Sequence, residues 1–168
     1  NPVSVFIYID FLDTLKKRQI LSGFGECIKH ALIFDKKYWN ELLEIDLDKV
    51  EWKRIITRSI EIKNTIVKKD PFDKGLRKIL NFGHTFGHAI ESHYLSKNQY
   101  ILHGEAVVLG IIIESRFSKL DNLEKDTVRG FIKKIYPELK IPKIQNLKSW
   151  ILNDKKNQNK KINLSLLD

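Results

Sequence analysis

LNFGHTFGHAIE, residues 80–91, carries two histidines four apart, His84 and His88, each preceded by a glycine, Gly83 and Gly87. On an α-helix four residues turn through about 400°, so the two imidazoles share one face. That spacing can grip a metal, as in the H-E-x-x-H arrangement. Thr85, however, stands where a metalloprotease places its general base. Two histidines alone leave metal ligation and hydrogen-bonded structural histidines both open. Each glycine costs up to ~1 kcal/mol against alanine within a helix. Spaced by four, the pair leaves a groove beside the histidine face, which either admits a ligand to the backbone or seats another helix.

Downstream, the polar SKNQY (residues 96–100) reads as a loop, and His103 opens the next helix in HGEAV. Ala106, Val107, Leu109, Ile111 and Ile112 carry that helix to about Leu120. Glu105 sits in its first turn, where a carboxylate complements the helix dipole. Helices joined by a short loop pack antiparallel, so His103 is expected to return toward His84. Upstream, Arg77 and Asn81 precede His84 and His88 at steps of four, three and four. Along one helical path all four project to one side. An arginine, an amide and two imidazoles on one face suit a phosphate or carboxylate better than a core.

Farther out, Val3–Ile9 is rich in β-branched and aromatic residues and reads as a buried strand ending at Asp10. Phe24, Ile28, Leu32 and Ile33 then form a helical stripe, with Glu26 and Lys29 on another face. Asp48 is an N-cap candidate for a helix to about Lys69, with Ile55, Ile56, Ile60, Ile66 and Val67 on its buried side and Lys63 nearly on that stripe. Asp70-Pro71 ends it. FDKGLRKIL is a connector with helical character, LEKDTVRGFIKKIY an amphipathic helix stopped near Pro137, and NLKSWILND a short helix. KINLSLL reads as a strand or extended tail. Charged residues on buried stripes need partners; the plain alternative for Glu26 and Lys63 is a snorkelling surface side chain.

The 168 residues fit one domain or a large piece of a longer protein. With 42% apolar residues the chain can bury a core. No apolar run reaches bilayer-spanning length and no signal peptide is visible, so no membrane role is expected. The single cysteine, Cys27, fits a reducing, cytoplasmic setting. The net charge of +9 suits an anionic partner. No zinc-finger spacing, RNP-like motif or basic zipper points to nucleic acid. The chain has no methionine and runs from Asn1 straight into an apolar segment, as a fragment would.

GLRKILNFGHTFGHAIE followed by HGEAVVLGI resembles the signature of the 3-dehydroquinate synthase family. SGFGECIKHALIFD resembles that family's G-x-A-E-x-x-K helix, IEIKNTIVKKD its lysine-bearing helix, and DKKN with KINLSLL its C-terminal segment. The matches are collinear and span nearly the whole chain. The resemblance implies a mainly α, multi-helix C-terminal domain of a dehydroquinate-synthase-like fold. Residues 1–12 would be the last strand and exit of a preceding Rossmann-like NAD-binding domain, and residues 13–168 the helical metal- and substrate-binding domain.

The same resemblance implies zinc, or another divalent metal, on Glu26, His84 and His103. It casts His88 as a catalytic, substrate-contacting histidine, Lys63 as a second catalytic residue and, with Arg77, as the grip on the substrate carboxylate, and Lys29 as a contact to its hydroxyls. Asn81 and His88 would meet the phosphate, together with one of Lys155 and Lys156, with Lys156 preferred. The implied reaction converts DAHP into 3-dehydroquinate and phosphate by transient NAD oxidation, phosphate elimination and aldol closure. The implied enzyme is a homodimer, and this piece alone is expected to be inactive. Three departures stand out: Gly25 replaces an alanine before the ligand glutamate, the loop between His88 and His103 is a few residues longer than usual, and Asp73 replaces a glutamate before GLR, which leaves Asp73 without a clear role. The alternatives are another sugar phosphate cyclase such as 2-deoxy-scyllo-inosose synthase, a metal-dependent alcohol dehydrogenase of similar fold, or a non-catalytic helical module.

Overall fold

A helix that is apolar on every side belongs at the centre of a domain, and HGEAVVLGIIIE is such a segment. In the computed structural model, which describes residues 3–152 and 162–167, it forms helix α5 (His103–Glu114), buried from Gly104 to Glu114. Around it stand α1 (Lys17–Phe34), α2 (Lys36–Leu43), α3 (Trp52–Lys69), α4 (His84–Ser96), α6 (Asn122–Ile135) and α7 (Ile144–Leu152). Two 3-10 helices, Ile9–Thr14 and Leu76–Asn81, complete the regular structure among the described residues. Helices α4, α1 and α6 pack on α5; α1 also meets α2 and α3, and α4 meets α7. No helix among the described residues is long and apolar enough to cross a membrane.

The α4–α5 contact explains the two glycines of the opening stretch. Gly83 precedes α4 with φ of 79°, a left-handed conformation that glycine adopts without a side-chain clash. A Cβ on Gly110 of α5 would lie 2.0 Å from the Gly83 carbonyl oxygen, and one on Gly87 would lie 3.2 Å from the Val107 Cα. The groove therefore seats α5. The α1–α5 crossing is equally close, since a Cβ on Gly104 would fall 1.8 Å from the Ser22 carbonyl oxygen.

Capping fixes where the helices begin. The Asp35 carboxylate accepts from Tyr38 N–H, and Asp121 and Glu124 form a reciprocal capping box at α6. The start of α4 is capped from another helix. Glu114, fully buried at the end of α5, accepts from Gly83 N–H at 2.8 Å and Phe86 N–H at 3.2 Å. It satisfies two amides that a helix start leaves unpaired. Asp70 organises the break after α3: its carboxylate accepts from the N–H groups of Lys74, Gly75 and Arg77 and so sets the 3-10 turn bearing Arg77 and Asn81.

Several expectations change. Residues 3–8 form no strand; Val3, Val5, Phe6, Ile7 and Tyr8 are exposed, and no described segment pairs with them. A strand needs a neighbour for its backbone groups. Residues 162–167 form neither helix nor ladder, so they are no strand. They are held by Leu167 N–H to Ser118 Oγ, Lys119 N–H to the Leu167 carbonyl, and Ser165 Oγ–H to the Lys78 carbonyl. The helix opened by His103 ends at Glu114, where Ser115 and Ser118 hydroxyls bond back to the Ile112 and Glu114 carbonyls. Helix α3 starts at Trp52; Asp48 lies in the turn before it. Its buried row is Ile55, Ser59, Ile62 and Ile66, so Ile60 and Lys63 are exposed.

Candidate metal and anion site

Three helices deliver the triad. Glu26 projects from α1, His84 is the first residue of α4 and His103 the first of α5. Antiparallel packing sets Gly110 of α5 beside Gly83 and His103 beside Glu91 of α4, and the His84 and His103 ring centroids lie 5.3 Å apart. Glu26 Oε1 lies 3.5 Å from His84 Nε2. One ligand atom from each of the three falls within 4.8 Å of the others. The distant glutamate and the two histidines of separate helices thus lie together.

The donor chemistry fits a divalent cation of the zinc type, with two imidazole nitrogens and one carboxylate and room for further ligands. Glu26 Oε1 is buried and without a hydrogen-bond partner, an atom that a cation would satisfy. Burial and the neighbouring Lys29 ammonium push His84 down to about 4, so its imidazole is neutral at pH 7 and able to donate a lone pair. His84 Nδ1 lies 3.3 Å from the Phe82 carbonyl, which places the proton on that nitrogen and the lone pair on Nε2, toward Glu26. Burial alone would raise Glu26, but Lys29 at 2.6 Å, with His84 and His30, brings its carboxyl below the ordinary value.

A cavity of about 460 Å³ opens beside the triad. Its walls carry Lys29, Lys63, Asp73, Arg77 and Asn81 as well as Glu26, His84 and His103. Arg77 is braced by one Nη1–H to the Pro71 carbonyl at 3.1 Å. Arg77, Asn81 and His84 do not lie on one continuous helix, since the 3-10 turn and Gly83 intervene, yet they face the same space. His88 lines a neighbouring cavity instead, with Glu91 and Ser92. Its ring still stands 5.5 Å from that of His84 and 5.9 Å from that of His103. Lys155 and Lys156 lie outside the described residues.

His30 also belongs to this wall and was missed in the sequence, where it reads as one more residue of an apolar helix face. It is buried, with Nδ1 2.5 Å from Ser59 Oγ and Nε2 without a hydrogen-bond partner, 4.0 Å from Glu26 Oε2. Burial, then Lys29, holds it down at about 4. Ser59, polar in the buried row of α3, was the available signal. Glu105 does more than complement a dipole. It accepts two guanidinium N–H groups of Arg18 and the Leu102 N–H, tying α1 to the start of α5 beside His103.

Fold and site together define a helical domain whose central helices bring a potential cation-ligating triad to a basic cavity. Residues 23–157 match the family described as 3-dehydroquinate synthase C-terminal. A 3-dehydroquinate synthase of Parabacteroides distasonis is 41% identical over 99% of this chain and 50% of its own length. One of Campylobacter concisus is 36% identical over 100% and 50%. A bifunctional 3-dehydroquinate synthase/phosphatase of Fusobacterium nucleatum is 40% identical over 82% of the chain and 20% of its own length. The chain belongs to the 3-dehydroquinate synthase family, matching its C-terminal domain, and spans about half the length of the first two of these relatives.

Proposed function

We propose that the chain is the metal- and substrate-binding part of a 3-dehydroquinate synthase, a lyase of the shikimate pathway, which works with an NAD-binding domain and turns DAHP into 3-dehydroquinate and phosphate. The convergence of Glu26, His84 and His103 at the edge of a basic cavity carries this reading. A divalent ion held there would supply Lewis-acid polarisation of a substrate hydroxyl oxygen. The chain's own residues position a polyanion. Lys63 and Arg77 form the carboxylate grip, with Arg77 offering planar donors and Lys63 a mobile ammonium reaching from an exposed helix face. Asn81 meets the phosphate from the same wall, and His88 from the adjacent turn of α4. Lys156 is assigned to the phosphate by family likeness alone.

Lys29 has a double task. Its ammonium neutralises Glu26 at 2.6 Å; a cation on Glu26 would share that charge and leave Lys29 able to donate to substrate hydroxyls. The carboxylate grip separates this reading from a sugar phosphate cyclase whose substrate lacks a carboxylate. Residues 1–12 are assigned to the exit from the NAD-binding domain, and the whole enzyme to a homodimer. The test is turnover of DAHP with NAD and zinc. The 168 residues alone are expected to give none, and the protein extended by its NAD-binding domain is expected to turn over and to lose activity in Arg77→Ala and His84→Ala. Full activity in those two variants would contradict the proposal.

A further inference from the structure

Each of the two histidines in the triad uses its Nδ1 elsewhere. His84 Nδ1 faces the Phe82 carbonyl, and His103 Nδ1 lies 3.0 Å from Glu91 Oε2. An ionised carboxylate only accepts, so the contact puts the His103 proton on Nδ1 and the lone pair on Nε2. We infer that Glu91 is a positioning residue: it fixes the tautomer and ring angle of His103 so that Nε2 is presented to the ion shared with Glu26 and His84. The inference rests on the metal triad proposed above. Carboxylates that hold the second nitrogen of a ligating histidine raise its basicity and orient it.

The placement of Glu91 supports this role. It lies two turns after His84 on α4, so the helix that supplies one ligand also orients the other. The contact is not a core requirement, because the side chains of Glu91 and His103 are 32% and 49% exposed. His103 would otherwise be a half-exposed ring free to rotate. A competing arrangement exists, since His88, Glu91 and His103 also bring one ligand atom each within 4.8 Å of one another. There Glu91 would be a ligand itself. The 3.0 Å contact to a ring nitrogen is a hydrogen bond and favours positioning.

The two roles separate on substitution. Glutamine keeps an oxygen that accepts from His103 Nδ1–H but is a poor cation ligand, whereas alanine removes both functions. Zinc affinity of the 168-residue chain, measured by competition with a chromophoric chelator, is expected to fall about 10–100-fold in Glu91→Ala and only a few-fold in Glu91→Gln. Nitrogen-15 shifts of His103 in the metal-free chain should report the Nδ1–H tautomer in the wild type and Glu91→Gln and a mixture in Glu91→Ala. Unchanged affinity or an unchanged tautomer in Glu91→Ala overturns the inference, and so does a loss in Glu91→Gln equal to that in Glu91→Ala. His84→Ala tells the two levels apart. If it binds zinc as the wild type does, the triad fails, while the metal-free tautomer still decides whether Glu91 positions His103.

Discussion

Gly110→Ala tests how the central helix holds the site together. The added Cβ would sit 2.0 Å from the Gly83 carbonyl oxygen and 2.8 Å from the Gly87 nitrogen, both backbone atoms that cannot swing away. Restoring a C–H···O separation of ~3.3 Å requires α4 and α5 to part by about 1.3 Å along that line. Alanine's better helix propensity returns up to ~1 kcal/mol, against an overpacking cost of about 1–3 kcal/mol or more. For a chain of this size each kcal/mol shifts Tm by about 2–4 °C, so a fall of a few degrees to about 10 °C is expected. The same displacement separates His84 from His103, and a metal site tolerates only about 0.2 Å, so zinc affinity should fall at least tenfold. Thermal unfolding followed by circular dichroism, with and without zinc, reads both effects. Gly130→Ala is the control: it lies on the exposed face of α6 with nothing within 4 Å of its Cβ position. It should stabilise by about 0.5–1 kcal/mol. Wild-type stability and zinc affinity in Gly110→Ala would refute the close α4–α5 contact as the source of the site's geometry.

Glu114→Ala leaves the buried Gly83 and Phe86 amides at the start of α4 without an acceptor and should lower stability by about 2–4 kcal/mol in urea unfolding, with a smaller loss in Glu114→Gln. His30 titrates near 6.5 when unfolded and about 4 when folded. The unfolded chain therefore binds more protons between those values, and the contribution of His30 to stability, full above pH 6.5, is lost as pH falls toward 4. The loss reaches on the order of 3 kcal/mol. In the metal-free chain, urea midpoints at pH 7 and pH 4.5 should differ less in His30→Gln than in the wild type. Asp70→Ala removes the acceptor for three backbone amides, so hydrogen exchange at Lys74, Gly75 and Arg77 should accelerate selectively while α5 stays protected.

The parts of this molecule that local pattern dictates were legible. The largely apolar run after His103 became the buried central helix, and the short loop before it lets α5 pack antiparallel on α4. Helix α2 is not legible in the sequence because eight residues show too little periodicity, although Asp35 is a capping signal and Tyr38 and Leu42 are its buried pair. The register of α3 was misjudged because Ser59 interrupts its buried row; the serine is there for His30, a partner 29 positions away. The cap by Glu114 is likewise a tertiary contact, since IIIESR shows only a charge at a helix end. An apolar N-terminal segment gives a strand-like pattern, but no described residue completes a ladder with it. At the site, the family resemblance supplied Glu26, and no local pattern joins it to residues 58 and 77 positions away; the fold of α1 across α5 does. Glu91 carries no signal in the sequence because its meaning depends on which nitrogen of His103 it faces.

The central claim is that Glu26, His84 and His103 share one cation. An anomalous-difference map from crystals of the zinc-loaded chain tests it most directly. The expected result is a single strong peak ~2.0–2.2 Å from a Glu26 carboxylate oxygen, His84 Nε2 and His103 Nε2. A peak bound by His88, Glu91 and His103, or one without Glu26 among its ligands, would contradict it.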